Sequence, residues 1–209
     1  VTGWGTPFTV FFNKTVKVEN HARGGRSTRT FISENRWQPI ASALKEGDYV
    51  FMQFGHNDEA KEPQYAARYT SPEDYRKNLI RFITETRAKN ANPVLVTPVS
   101  RRKFSSEGKA LETHIEYSGV VAELATEYKV PLIDLDTRSR ALYESFGPEN
   151  SKLLFNVSEP GANPQFPSGA NDGTHFSEYG ARLLAELVLD EMKKLNLDLM
   201  KRVVNQEAK

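Results

Sequence analysis

Apolar positions recur along this chain with two different periods. Four short runs are continuously apolar or alternate with polar residues: VKVE (16–19), YVFMQF (49–54), PVLVTPV (93–99) and VPLIDL (130–135). Each predicts a strand. The second and third have almost no polar face, as parallel strands covered on both sides require. Longer stretches follow the helical period. In 71–90, Ser71 is placed to cap and Pro72 to occupy the first helical position, and Tyr75, Leu79, Phe82 and Ile83 form one stripe. A second helix is predicted over 107–129, with Leu111, Ile115, Val121 and Leu124 at helical intervals. A third runs from about Ser177 to Leu195 and would bury Ala181, Leu184, Val188, Met192 and Leu195.

Strand followed by helix, repeated, predicts an α/β fold with a parallel sheet. No internal repeat, low-complexity tract or linker divides the chain, so 1–209 reads as a single domain. The segment 156–172 carries three prolines and reads as a long irregular loop, functional or mobile. Residues 197–209 are charged and are expected to fray. Charge adds little: 28 basic against 27 acidic side chains leave a net +1, so no nucleic-acid partner is indicated. No run of eighteen apolar residues predicts a membrane span. The absence of cysteine excludes disulfides and thiolate metal sites. No signal peptide is visible, and the chain opens on Val1.

In open parallel sheets, ligands bind beyond the carboxyl ends of the strands. The segments expected there are NHARGGRSTRTF (20–31), GHND (55–58) and SRRKF (100–104), together with the loop before the last helix. That loop carries Asp172 and, three residues later, His175. Imidazole exchanges protons near neutral pH, and a carboxylate on Nδ1 would fix its tautomer. The plainer reading is a turn capped by Asp172 beside a surface histidine. Gly24 and Gly25 permit positive φ and close approach of a ligand to backbone N–H groups, or simply make a turn. The Asn57 amide suits hydrogen-bond donation to an oxyanion and equally suits an Asx turn. His56 is a candidate substrate contact or a bridge between loops. Arg101 and Arg102 offer guanidinium forks to a substrate carboxylate, or are solvated. His21 and His114 are far apart, and no histidine pair has the helical spacing of a metal site.

Taken in order, GWG (3–5), ARGGRSTRTF (22–31), FGHND (54–58), VTPVSRR (96–102), VPLIDL (130–135) and DGTHFSEYGA (172–181) resemble the blocks of the SGNH, or GDSL-type, hydrolases. The likeness is greatest to the rhamnogalacturonan acetylesterase branch. It implies a flavodoxin-like three-layer α/β/α sandwich and a serine esterase that removes acetyl groups from pectic polysaccharide through an acyl-enzyme. It implies Asp172 and His175 as acid and base, Gly25 and Asn57 as oxyanion donors, and no metal or organic cofactor. The implied partner is an acetylated polysaccharide or oligosaccharide. The implied location is secreted or periplasmic, because pectic polymers lie outside the cytoplasm.

One block departs from the family. Its nucleophile is the serine of a Gly-Asp-Ser sequence at the end of the first strand, and no Gly-Asp-Ser occurs here. In the family that block precedes the stretch matching Gly3-Trp4-Gly5. The nucleophile and the central first strand are therefore expected before Val1, and the 209 residues are expected to be incomplete and inactive alone. Without that strand, 16–19 and 49–54 would flank a gap, each orphaned backbone group costing ~1–3 kcal/mol. Ser27 and Ser100 are the nearest stand-ins by position. Two other functions compete: a non-catalytic carbohydrate-binding relative, and an esterase of the same family acting on another acyl ester.

Overall fold

The computed structural model describes residues 2–164 and 166–204. These fall into two compact units. One comprises Arg23–Val99 and His114–Asp136; the other comprises Val1–Ala22, Ser100–Thr113 and Thr137–Lys209.

The first unit is built on a parallel sheet. Strands β1 (Tyr49–Gln53), β2 (Asn92–Val96) and β3 (Leu132–Ile133) lie side by side in that order. Val94, Leu95 and Val96 are all buried, so β2 is covered on both faces, which explains its unbroken apolar run. Helix α3 (Pro72–Arg87) crosses from β1 to β2, and α4 (Ile115–Glu127) from β2 to β3. Parallel neighbours require such crossovers. Ser71 caps α3 by accepting the Asp74 N–H, and Tyr75, Leu79, Phe82 and Ile83 are all buried, as the stripe predicts. With α1 (Thr28–Ser33) and α2 (Trp37–Ala43) they form a core in which the Trp37 and Phe82 rings lie 4.5 Å apart.

Two predicted elements differ. Residues 16–19 form no strand: Val16 and Val18 are half-buried and Lys17 pairs with Glu19, so the alternation marks an extended segment with one covered face. No ladder partner joins it among the described residues, and β1 is an edge strand of the parallel sheet. Helix α4 starts eight residues later than predicted. Gly108 takes φ +76°, and an antiparallel bridge between Phe104 and Ala110 closes a turn there. The buried face of α4 is therefore Tyr117, Val121, Leu124 and Ala125; Ile115, expected on it, is 69% exposed.

In the second unit, α6 (Glu178–Lys194) is capped by Ser177 and buries Ala181, Leu184, Val188 and Met192, as predicted, with Leu195 half-buried. Gly180 is required in its first turn, since a Cβ there would lie 2.0 Å from the Leu154 carbonyl oxygen. The segment 156–172 is less irregular than its prolines suggest. Strand β4 (Phe155–Ser158) pairs antiparallel with β5 (Ala170–Phe176). A helical segment, α5 (Leu135–Asn150), is interrupted at Gly147. The chain beyond Asn196 holds a 3-10 turn at Asp198–Arg202, and Val203 bridges to Phe12; residues 205–209 of the expected frayed tail lie outside the described residues.

Candidate active site

Asp172 and His175 sit on β5, not in a loop. The register between β4 and β5 jumps there: Phe155 faces Phe176, but Asn156 faces Asp172. Gly173, Thr174 and His175 are thereby looped out of the ladder, a bulge of the kind that re-aims side chains. Asp172 holds this bulge together. Its Oδ1 accepts the N–H groups of Thr174 (2.8 Å) and His175 (3.0 Å), while its Oδ2 lies 2.6 Å from His175 Nδ1. The turn-capping and imidazole-orienting readings of Asp172 are thus one arrangement, using different oxygens. Burial pushes the Asp172 carboxyl up, but the two N–H donors and the imidazole outweigh it and hold it below the usual carboxylate range. The ring leaves Nε2 for other chemistry, and the His175 side chain is 54% exposed.

Arg101 and Arg102 support the same bulge. Arg102 donates its N–H to the Gly173 carbonyl (2.7 Å), and a Cβ on Gly173 would stand 3.3 Å from Arg102. The Arg102 guanidinium donates to Ser151 Oγ (3.0 Å) and to the Pro148 carbonyl, and Arg101 Nη1 donates to Thr174 Oγ1 (3.0 Å). Both guanidinium groups therefore hold protein atoms, whatever else they meet.

Gly25, Asn57 and His56 lie in the sheet unit. Arg23 to Arg26 form a turn in which Arg26 N–H donates to the Arg23 carbonyl, and Gly25 supplies φ +76° at its third position. The exposed Gly25 N–H has no hydrogen-bond partner among the described residues. Asn57 Nδ2 donates to the Arg26 carbonyl at 3.2 Å, which ties the amide to this turn and leaves its second N–H unused. Two uncommitted donors thus belong to two loops that this hydrogen bond joins. His56 packs its ring 4.1 Å from that of His114, which is fully buried with Nδ1 2.9 Å from a Glu59 carboxylate oxygen.

The sequence reading passed over Asp58. This side chain is fully buried and accepts from Thr28 N–H (2.9 Å), Thr28 Oγ1 (2.5 Å) and Gly55 N–H (3.2 Å). It locks the loop carrying Asn57 to the loop carrying Gly25. Burial raises its carboxyl to about 6, against the pull of these donors. Below the unfolded value of 3.8 the group favours the folded state most, and that contribution is lost as pH rises through about 6. Asp58→Asn retains an acceptor for Thr28 but turns an NH2 toward Gly55 N–H. The stability gap between the parent and this variant is expected to be about 2 kcal/mol larger at pH 4.5 than at pH 7. Denaturant melts at both values check it; a gap independent of pH would contradict it.

Ser27 and Ser100 are both buried, and Ser27 is engaged as the cap of α1, accepting Thr30 N–H. Neither is presented as an attacking group.

Residues 3–183 match the GDSL-like lipase/acylhydrolase family. The chain is 42% identical over its whole length to the rhamnogalacturonan acetylesterase RhgT of Bacillus subtilis, covering 88% of that protein. It is 35% identical to the probable rhamnogalacturonan acetylesterase YesY of the same organism, over 98% of the chain and 89% of the relative. The crystal structure of YxiM from Bacillus subtilis superposes with TM-score 0.80 at 30% identity, over 94% of this chain and 51% of that one, so the chain spans about half of YxiM. The acetyl xylan esterase AlAXEase gives TM-score 0.60 at 19% identity, over 80% of this chain and 77% of that one, a likeness of fold. The chain belongs to the GDSL-like lipase/acylhydrolase family.

Proposed function

We propose that this protein is a serine esterase that removes O-acetyl groups from an acidic pectic polysaccharide, acting outside the cytoplasm. The observation that carries the reading is the 2.6 Å contact between Asp172 Oδ2 and His175 Nδ1. It fixes the imidazole with its proton on Nδ1 and a free lone pair on Nε2, the state a general base needs. The likeness to RhgT over the full chain supports the choice of substrate.

In this mechanism a serine hydroxyl attacks the acetyl carbonyl while His175 Nε2 takes its proton. The attacking group is the serine of the family's Gly-Asp-Ser block, which has no match in the 209 residues. Gly25 N–H and the unused N–H of Asn57 donate to the oxygen as negative charge develops on it. His175 returns the proton to the departing sugar oxygen, which leaves as a hydroxyl, and then activates water to release acetate. Asp172 stays ionised throughout and stabilises the imidazolium.

The test is acetate release by the full-length protein from acetylated rhamnogalacturonan, with a serine-reactive phosphonate as a covalent probe. Time-dependent labelling and loss of acetate release together are expected. Sugar binding without acetate release would replace this reading with that of a carbohydrate-binding relative. Turnover confined to lipid-like esters would replace the substrate.

A further inference from the structure

The loop between Asp58 and Thr70 is closed at its root and charged at its tip. Thr70 N–H donates to the Asp58 carbonyl at 2.9 Å. The buried Tyr117 hydroxyl donates to the carbonyls of both residues, at 2.6 Å to Thr70 and 3.2 Å to Asp58. Loops with ends pinned in this way are frequently functional. This one is rooted next to Asn57, and it carries Tyr65 and Arg68.

Several cations on this loop, on the Gly25 turn and on the adjoining helices are committed. Arg26 and Arg36 share Glu34, and Lys61 lies 3.9 Å from Glu116. Arg29 donates to the Tyr69 carbonyl. Arg68 is different. Its guanidinium lies 3.8 Å from the centre of the Tyr65 ring, and no carboxylate pairs with it among the described residues. Its Nε is buried without a hydrogen-bond partner. Its Nη1 stands 3.8 Å from the position a Cβ on Gly25 would occupy. A stacked, partly desolvated guanidinium with open donors is a site for a planar anion, and its fork matches a carboxylate with two parallel hydrogen bonds.

We propose that Arg68, held by Tyr65 beside the Gly25 turn, binds the carboxylate of a uronate sugar neighbouring the acetylated residue, and so selects acidic over neutral polysaccharide. This rests on the acetylesterase reading for its place beside the reacting ester. The carboxylate fit itself stands on the Arg68 geometry. Contact with the Tyr65 ring restrains the guanidinium, so less side-chain freedom is lost on binding.

Calorimetric titration of the full-length protein with unacetylated trigalacturonate tests the subsite without chemistry. Arg68→Ala is expected to weaken binding about tenfold. Arg68→Lys, which keeps the charge but loses the fork, is expected to fall between. In turnover, the loss of kcat/KM on acetylated rhamnogalacturonan is expected to exceed that on 4-nitrophenyl acetate about tenfold. Unchanged trigalacturonate affinity in Arg68→Ala would overturn the proposal, as would equal losses on the two esters. A parent protein that binds trigalacturonate through Arg68 yet releases no acetate from the polymer would leave the subsite standing and remove the esterase reading.

Discussion

Replacing His175 with alanine in the full-length protein is expected to lower kcat on acetyl esters by about 10⁴-fold or more, with KM changed far less. A general base acts on the transition state, so its loss appears in kcat. A factor of that size corresponds to roughly 5 kcal/mol of lost transition-state stabilisation. The fold should not suffer. The side chain is half exposed, so its removal leaves no core cavity, and Asp172 keeps its hydrogen bonds from Thr174 and His175 N–H. Turnover and thermal melting measured on one preparation separate the two effects. Turnover within tenfold of the parent would remove His175 from the chemistry.

This pair could be read from the sequence because it is local. Asp172 and His175 are three positions apart, and any tight turn between them brings carboxylate and imidazole within reach. Helices α3 and α6 were legible for a similar reason: cap, stripe and end lie within one segment. What escaped the sequence depends on partners far along the chain. Val16 to Glu19 alternate as a strand does, but a strand exists only through its ladder, and four residues carry no information about one. The pairing of β4 with β5 joins residues across a proline-rich stretch whose composition argues against it. Helix α5 hides because Leu135, Ser139 and Tyr143, all buried, interrupt the apolar stripe with a hydroxyl. Asp58 looks like a polar loop residue until Thr28, thirty positions away, is folded onto it.

Asp172→Asn and Asp172→Ala are expected to separate the two oxygens of one carboxylate. Asparagine can keep an acceptor toward the N–H groups of Thr174 and His175, so the bulge on β5 should survive with little loss of stability. Its NH2 then faces Nδ1, where the carboxylate oxygen stood at 2.6 Å. A donor in that position favours the imidazole tautomer that carries its proton on Nε2, which cannot accept one from a nucleophile. The expected result is a loss of kcat of about 10³–10⁴-fold with melting nearly unchanged. Alanine removes both acceptors. Activity should fall at least as far, and melting should fall as well, because the Thr174 and His175 N–H groups lose their partner at the bulge, at about 0.5–1.5 kcal/mol for each hydrogen bond. The carboxyl of Asp172 is held below the ordinary carboxylate range, so it remains ionised through the neutral and mildly acid region. Its stabilising contribution is present above its unfolded pKa, near 3.8, and is lost as pH falls through the lower folded value. An acid limb in the activity profile of the parent above about pH 5 therefore reports a group other than Asp172. Should the asparagine variant turn over at the parent rate with its fold intact, the carboxylate serves the bulge alone and the base at His175 needs no orienting partner.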